Sequence, residues 1–352
     1  MINDDLPNGD EESLHETWPS ESDVGNHVAP PHCRSTHLLD VPAHRNGTLG
    51  RTISQLNAAV QLNHIDESRY YPSTLRPGRL MPLDLGLEGA HVLVTGASGG
   101  IGLEITRLFA EQGAKVTAHY NTNSATLQPL ISQYGSQHIR ALRADLTDEA
   151  AVSKLFDEAT SSSFGAVHIL ILNHAISAKI REPVWKISLE RWKHTIDVNL
   201  TSSFIVVKEY LKRLEMTPDV IKDRASVVII GSTAGQFGEA GNADYAASKS
   251  ALMYGLTLSL KNEIVKIAPK ARVNSIGPGW TVTPRTEPSI KNPDIVYTAL
   301  ATTPLKKVAM PQDIAPQVAL LASQRVSGHI TGQVLMIQGG MEGRLLNKQA
   351  EL

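Results

Sequence analysis

From about residue 88 onward, apolar runs of four to seven residues alternate with longer amphipathic stretches. The short runs are HVLVTG (91–96), KVTAHY (115–120), IRALRAD (139–145), HILILN (168–173), SVVIIG (226–231), RVNSIG (272–277) and QVLMIQ (333–338). Their length fits strands, and their near-continuous apolar character fits burial on both faces of a sheet. Between them, GLEITRLFAEQG, AAVSKLFDEAT, RWKHTIDVNLTSSFIVVKEYLKRLE, ADYAASKSALMYGLTLSLKNEIVK and QDIAPQVALLAS carry apolar residues at helical spacing. Strand and helix in alternation predict βαβ units. The expected fold is therefore α/β: a Rossmann-type doubly wound parallel sheet of about seven strands with helices on both faces, in one domain over residues 88–343. There is no internal repeat, and no second apolar cluster calls for another domain.

The first 50 residues break this pattern. They are rich in Pro, Ser, Asp, Glu, Asn and His with no sustained apolar period, so burial cannot offset their ordering entropy, and a disordered acidic arm is expected. Six histidines between His15 and His64 fall at irregular intervals with no cysteine or carboxylate constellation, which reads as solvated histidine and no metal site. Residues 51–87 form a partly ordered lead-in: TISQLNAAVQLNHI (52–65) fits a short helix, and Pro72, Pro77 and Pro82 imply an extended approach to the domain. Residues 344–352 read as a tail.

Charge and composition narrow the partners. Of 352 residues, 33 are Lys or Arg and 35 Asp or Glu, so no bulk field points to nucleic acid or an anionic membrane, and a small molecule is the expected ligand. No apolar stretch reaches the ~20 residues of a membrane span. The acidic start matches neither a secretory signal nor a basic transit peptide, and the closing AEL is no peroxisomal address. One cysteine, Cys33, excludes a disulfide framework and suits a reducing compartment. A soluble, cytoplasmic protein is expected.

The first strand runs straight into TGASGGIG (95–102) and then a helix. Glycine there lets the main chain approach a ligand, while the N–H groups and dipole at the helix start stabilise a pyrophosphate. Between a strand and a helix at the head of a βαβ series, this is a dinucleotide-binding signature. Gly96, Ser98, Gly100, Ile101 and Gly102 are its contact candidates. A carboxylate ending the second strand would select NAD, yet Tyr120 and Asn121 stand there in HYNTNS. NADP(H) is therefore preferred, with NAD(H) not excluded because the segment holds no arginine. Asp145, followed by Leu146, fits an adenine contact or a helix cap, and Asn173 in LNHA ends the fourth strand beside the cofactor channel.

Tyr245 and Lys249, in YAASK, lie one helical turn apart on one face. The pair alone establishes nothing. Together with TGASGGIG, LNHA, VNL, IIGSTAG, IGPGWTVT and ITGQVLMIQGG, however, it resembles the short-chain dehydrogenase/reductase family from about residue 88 to 343. In that family a tyrosine and lysine at this spacing are catalytic, a serine thirteen residues earlier assists, and an asparagine on the preceding helix completes a tetrad. The resemblance places these roles on Tyr245, Lys249, Ser232 and Asn199. It also implies that Lys249 binds the nicotinamide ribose, and that Pro278, Gly279 and Thr283 approach the nicotinamide carboxamide. Ser232 could also be a plain strand-end serine and Asn199 a cap or kink; Trp280 could face substrate or pack. Two departures stand out: Leu172, Asn173, His174 and Ala175 where the family's fourth strand commonly ends in two asparagines, alanine and glycine, and Gly99 where NADP enzymes often carry a basic residue. For His174 a packing or supporting role is expected.

A free phenol has a pKa of about 10, so the Lys249 ammonium beneath it is expected to favour the anion; a shift of ~2 units corresponds to roughly 3 kcal/mol. The expected activity is interconversion of a ketone, 3-oxoacyl or secondary-metabolite, with a secondary alcohol. Residues 283–310 are a candidate lid, and a homodimer or homotetramer is expected through the long helices holding Asn199 and Tyr245. The rival is a catalytically silent dinucleotide sensor or scaffold.

Overall fold

A computed structural model describes residues 83–161, 163–178 and 180–347, all within the compact unit Arg79–Leu352. The expectations for the acidic arm, the 52–65 helix, Pro72, Pro77, Pro82 and Cys33 lie outside the described residues.

Seven strands form: β1 His91–Val94, β2 Lys115–Tyr120, β3 Ile139–Arg143, β4 Ile169–Leu172, β5 Ser226–Ile230, β6 Arg272–Pro278 and β7 Val334–Ile337. Every pairing is parallel and the order is β3-β2-β1-β4-β5-β6-β7. The helices used below are α1 Gly100–Glu111, α2 Gln128–Tyr134, α3 Glu149–Thr160, α4 Leu189–Ile196, α5 Ser202–Glu215, α6 Thr233–Phe237, α7 Ala243–Ser250, α8 Thr257–Ile267, α9 Pro293–Leu300 and α10 Pro311–Ala322.

Side chains alternate across a strand, and here the two sets feed two cores. Val92, Val94, Ile169, Ile171 and Val228 pack with α1 and α10 residues such as Ile105, Phe109, Ile314 and Val318. Leu93, Leu170, Leu172, Val227 and Ile229 face the other way, onto Leu155, Phe156, Val206, Tyr210 and Leu260 from α3, α5 and α8. That is why these strands read as continuous apolar runs. Each fully buried Leu or Ile contributes about 1.5–3 kcal/mol.

Strand order reverses between β1 and β4, which open a crevice at their C-terminal ends. Two long helical rods lead into it, and both contain π-helical turns: Asp197–Thr201 joins α4 to α5, and Ala251–Leu256 joins α7 to α8. The segment read as a lid is partly helical, with a turn at Glu287–Ile290 followed by α9, and Thr281 bridges to Ala309 at its two ends.

Candidate active site

The candidate site residues come from strand ends and the loops that follow them, from helices α1 and α7 and from the first π turn. The glycine loop follows β1. Gly96 has φ of +61°, and a Cβ there would meet His174 Cα at 2.9 Å; a Cβ on Gly102 would lie 2.3 Å from the Gly96 carbonyl and 2.6 Å from Asn173 Nδ2. On Gly100 it would meet Thr283 Cγ2 at 2.7 Å. Only glycine lets the loop, the β4 end and the β6 turn close together. Helix α1 starts from Gly99 with no side-chain cap and no acid in its first turn, so its N–H groups fit a pyrophosphate. Ile101 packs against the first core, and Ser98 accepts through its carbonyl from Thr126 Oγ1 at 2.9 Å.

Two histidines, buried His119 and partly buried His174, hold this cradle. His119 Nδ1 accepts from the Gly96 N–H at 3.1 Å, and its Nε2 lies 3.0 Å from the Ala144 carbonyl. His174 bonds Thr95 Oγ1 at 2.8 Å and Ser202 Oγ at 2.7 Å, in the supporting place expected for it. Burial lowers both, to about 4 for His119 and about 3 for His174, so both rings are neutral at neutral pH. Asn173 Nδ2 donates to the Thr95 and Gly96 carbonyls, each at 3.0 Å.

Tyr120 and Asn121 end β2, as expected, and no carboxylate follows them. Strand register pairs Tyr120 with Arg143, and Arg143 Nε donates to the Asn121 carbonyl at 2.9 Å. The arginine absent from HYNTNS thus arrives from the neighbouring strand. Asp145 accepts from the Thr147 N–H and hydroxyl, while Asp148 is the cap of α3; Leu146 is buried in the second core. Pro278 pairs with Ile337, the Gly279 N–H donates to Ile337 at 2.9 Å, and Thr283 Oγ1 lies 3.0 Å from Thr286 Oγ1. A cavity of about 160 Å³ behind this turn is lined by Trp280, Leu300, Leu305 and Gln338, and by none of the four tetrad residues. The Arg181 guanidinium lies 5.7 Å from the Trp280 ring.

Ser232 caps α6, accepting from the Ala234 N–H at 3.1 Å. Ser232 also acts on the Tyr245 phenol, drawing its pKa down against the larger upward push of burial; the net shift is upward. Arg285 and Arg344 add downward pull, and Glu239 opposes it. Lys249 departs from expectation. Its Nζ donates to the Ile230 carbonyl at 2.7 Å and lies 5.8 Å from the Tyr245 ring centroid. Burial, reinforced by Arg285, lowers it to about 7. Burial thus reduces the expected ammonium charge near neutral pH, while Ser232 and two arginines pull toward the phenol anion without outweighing burial. One of three donors is committed to Ile230, leaving two.

Asn199 sits fully buried in the first π turn, accepting from the Ile176 N–H (2.8 Å) and donating to the Ile176 carbonyl (2.9 Å) and Ser248 Oγ (3.0 Å). Ser248 in turn donates to the Tyr245 carbonyl at 2.8 Å, so Asn199 braces the tyrosine's helix without touching Lys249. Asp244, fully buried one residue before Tyr245, receives two bonds from Arg191, both 3.0 Å, and one from Thr195 at 2.8 Å. This pair ties α7 to α4, and no sequence pattern announces it.

A family model described as enoyl-(acyl carrier protein) reductase matches residues 96–342. A 3-oxoacyl-(acyl-carrier-protein) reductase of Vibrio cholerae is 32% identical over 257 residues, covering 73% of this chain and 99% of its own. The chain is a member of the short-chain dehydrogenase/reductase family. As such it is an NAD(P)-dependent oxidoreductase. This short-chain dehydrogenase/reductase is also 28% identical to cis-4-hydroxycyclohexanecarboxylate dehydrogenase of Sinomonas cyclohexanicum, over 70% of this chain and 94% of that one. Among solved structures it superposes with a TM-score of 0.64 on a candidate NAD(P)-dependent gluconate 5-dehydrogenase from Beutenbergia cavernae with bound NADP. The two are 28% identical, over 73% of this chain and 98% of that one. Among the described residues, no helix is long and apolar enough to cross a membrane.

Proposed function

We propose that this protein interconverts a ketone and a secondary alcohol with NADP(H), using Tyr245 as the acid and base. The observation that carries the reading is buried Lys249 set beside the Tyr245 ring, with Ser232 acting on the same phenol, beyond a glycine cradle that only glycine can build. When bound, the dinucleotide supplies or accepts the hydride. Ser232 holds the substrate oxygen where negative charge develops. Tyr245 gives that oxygen a proton, or takes it in the reverse direction. Lys249, titrating near neutrality, replenishes the phenol through its remaining donors, and Asn199 fixes the Tyr245 turn through Ser248.

Preference for NADP(H) is supported by the missing carboxylate after β2 and by the Arg143 guanidinium there, which suits a 2′-phosphate. A 3-oxoacyl thioester, the substrate named for the Vibrio cholerae relative, is one candidate ketone. Pairing of two or four copies is supported by exposed Phe204, Tyr254, Leu258 and Val265 on the long rods; gel filtration tests it. We place the protein in the cytoplasm on the strength of its single cysteine.

The test is NADPH oxidation with a ketone panel, comparing the parent with Tyr245→Phe. Loss of the proton donor should lower turnover by about 10²–10⁴-fold, while NADPH fluorescence still reports binding. Full activity in the variant would remove the mechanism, and binding without turnover in the parent would favour a silent sensor.

A further inference from the structure

The proton chemistry leaves unexplained a set of arginines around Tyr245. Arg344 Nη2 donates to Thr233 Oγ1 at 3.1 Å, next to Ser232. Its Nη1 lies 3.9 Å from Glu239, and its Nε is buried without a partner among the described residues. Arg285 crosses from the β6 loop to bond the Ala175 carbonyl (3.0 Å), the Ser177 carbonyl (3.1 Å) and Ser177 Oγ (2.7 Å). Among the described residues no carboxylate pairs with it. Glu239, the acid on this side, is held at 2.9 Å by Arg181. Both Arg285 and Arg344 lie close enough to Tyr245 to act on it electrostatically. Two guanidinium groups thus share one carboxylate, a third has none, and a buried donor lacks its acceptor.

A partly buried guanidinium fork recognises oxyanions with two parallel bonds, and an uncompensated positive cleft concentrates anions. Arg344 touches the β5–α7 connection and no residue of the glycine loop, so the charge belongs to the substrate side of Tyr245. We propose that the ketone or alcohol handled here carries an oxyanion, carboxylate or phosphate, near its reacting carbon, and that Arg344 with Arg285 binds it. This rests on the oxidoreductase reading above. The substrate is then a compact anionic ketone, and the arginines orient its carbonyl toward Tyr245 and Ser232.

The experiment compares ketones matched except for charge. One arm uses 3-oxo and 4-oxo carboxylic acids against their methyl esters; another uses dihydroxyacetone phosphate against dihydroxyacetone. For each pair kcat/KM is measured with NADPH at low and high salt. In parallel, calorimetry follows binding of the corresponding hydroxy acids, hydroxy esters, glycerol phosphate and glycerol to the NADP-loaded Tyr245→Phe protein. The charged member of at least one arm should be favoured by about tenfold or more, less so at high salt. Arg344→Gln should bring that ratio near one by raising KM for the charged member, and Arg344→Lys should restore part of it. Which arm shows the preference distinguishes carboxylate from phosphate. If no charged member turns over or binds better than its neutral partner, or if Arg344→Gln leaves the ratio intact, the proposal is overturned. Charge-selective, Arg344-dependent binding without turnover would sustain it while removing the reductase reading.

Discussion

Replacing Asp244 by Asn tests whether the Arg191 pair positions the catalytic helix. Volume is kept, but the charge that accepts two bonds from Arg191 and one from Thr195 is lost. Breaking a buried ion pair by neutralising one partner costs about 3–5 kcal/mol. The lower end applies here, because the Arg191 side chain is 16% exposed and keeps Glu182 at 2.9 Å and the Ile180 and Gly241 carbonyls at 3.3 Å. About 3 kcal/mol in a domain this size corresponds to a fall in Tm of roughly 6–12 °C, read by circular dichroism on heating. A double-mutant cycle sharpens the test. Once Arg191→Met has removed the guanidinium, Asp244→Asn should cost little more, since the two act as one unit. The pair also sets a pH signature. Burial raises the Asp244 pKa, but the bonds from Arg191 and Thr195 prevail and leave it below the usual carboxylate value. Its stabilisation is present above the unfolded pKa and is lost as pH falls through the depressed folded value. A Tm within about 2 °C of the parent, or fully additive losses in the cycle, would refute the reasoning.

His91, His119 and His168 are lowered to about 4 and His174 to about 3, chiefly by burial. Depressed histidines take up protons on unfolding below their ordinary value of 6.5, so stability should fall steeply as pH drops from 6.5 to about 4. Urea midpoints across that window check this; a flat profile would contradict it. Gly102→Ala forces its Cβ against the Gly96 carbonyl, so dinucleotide binding, measured by calorimetry, should be lost even where the sheet folds. Arg143→Ala should weaken binding of 2′,5′-ADP by about tenfold and leave that of 5′-AMP largely unchanged; equal weakening of both would deny it a role at the phosphate.

All seven strands were legible because central parallel strands bury both faces and so write continuous apolar runs. Helices α2 and α9 were not, since LQPLISQY and NPDIVYTAL are short and interrupted by proline, which signals a turn as readily as a first helical turn. Tyr245, Lys249 and Ser232 were readable because their relation is local spacing. Arg143 was not, because its place depends on strand register. Arg344, read as part of a tail, reaches Thr233 across 111 residues of sequence, and Asp244 meets Arg191 across 53. The setting of Lys249 was only half legible: sequence gives the turn between amine and phenol but not the depth of burial that lowers the amine's pKa.

The two π turns fix a rotational phase. In the second, the Thr257 N–H reaches back five residues to the Leu252 carbonyl, which also accepts from Thr257 Oγ1 at 2.8 Å, a step wider than a regular α-helix makes. One residue is in excess there, absorbed by the wider turn; winding the same residues as a regular α-helix would turn everything downstream by about 100°. Leu260 and Ile264, now buried in the core, would then swing toward solvent. A straightened rod would therefore keep its tyrosine and lysine yet seat them on a misaligned scaffold: the wide turn is what lets a helix one residue too long hold both its ends in phase with the core.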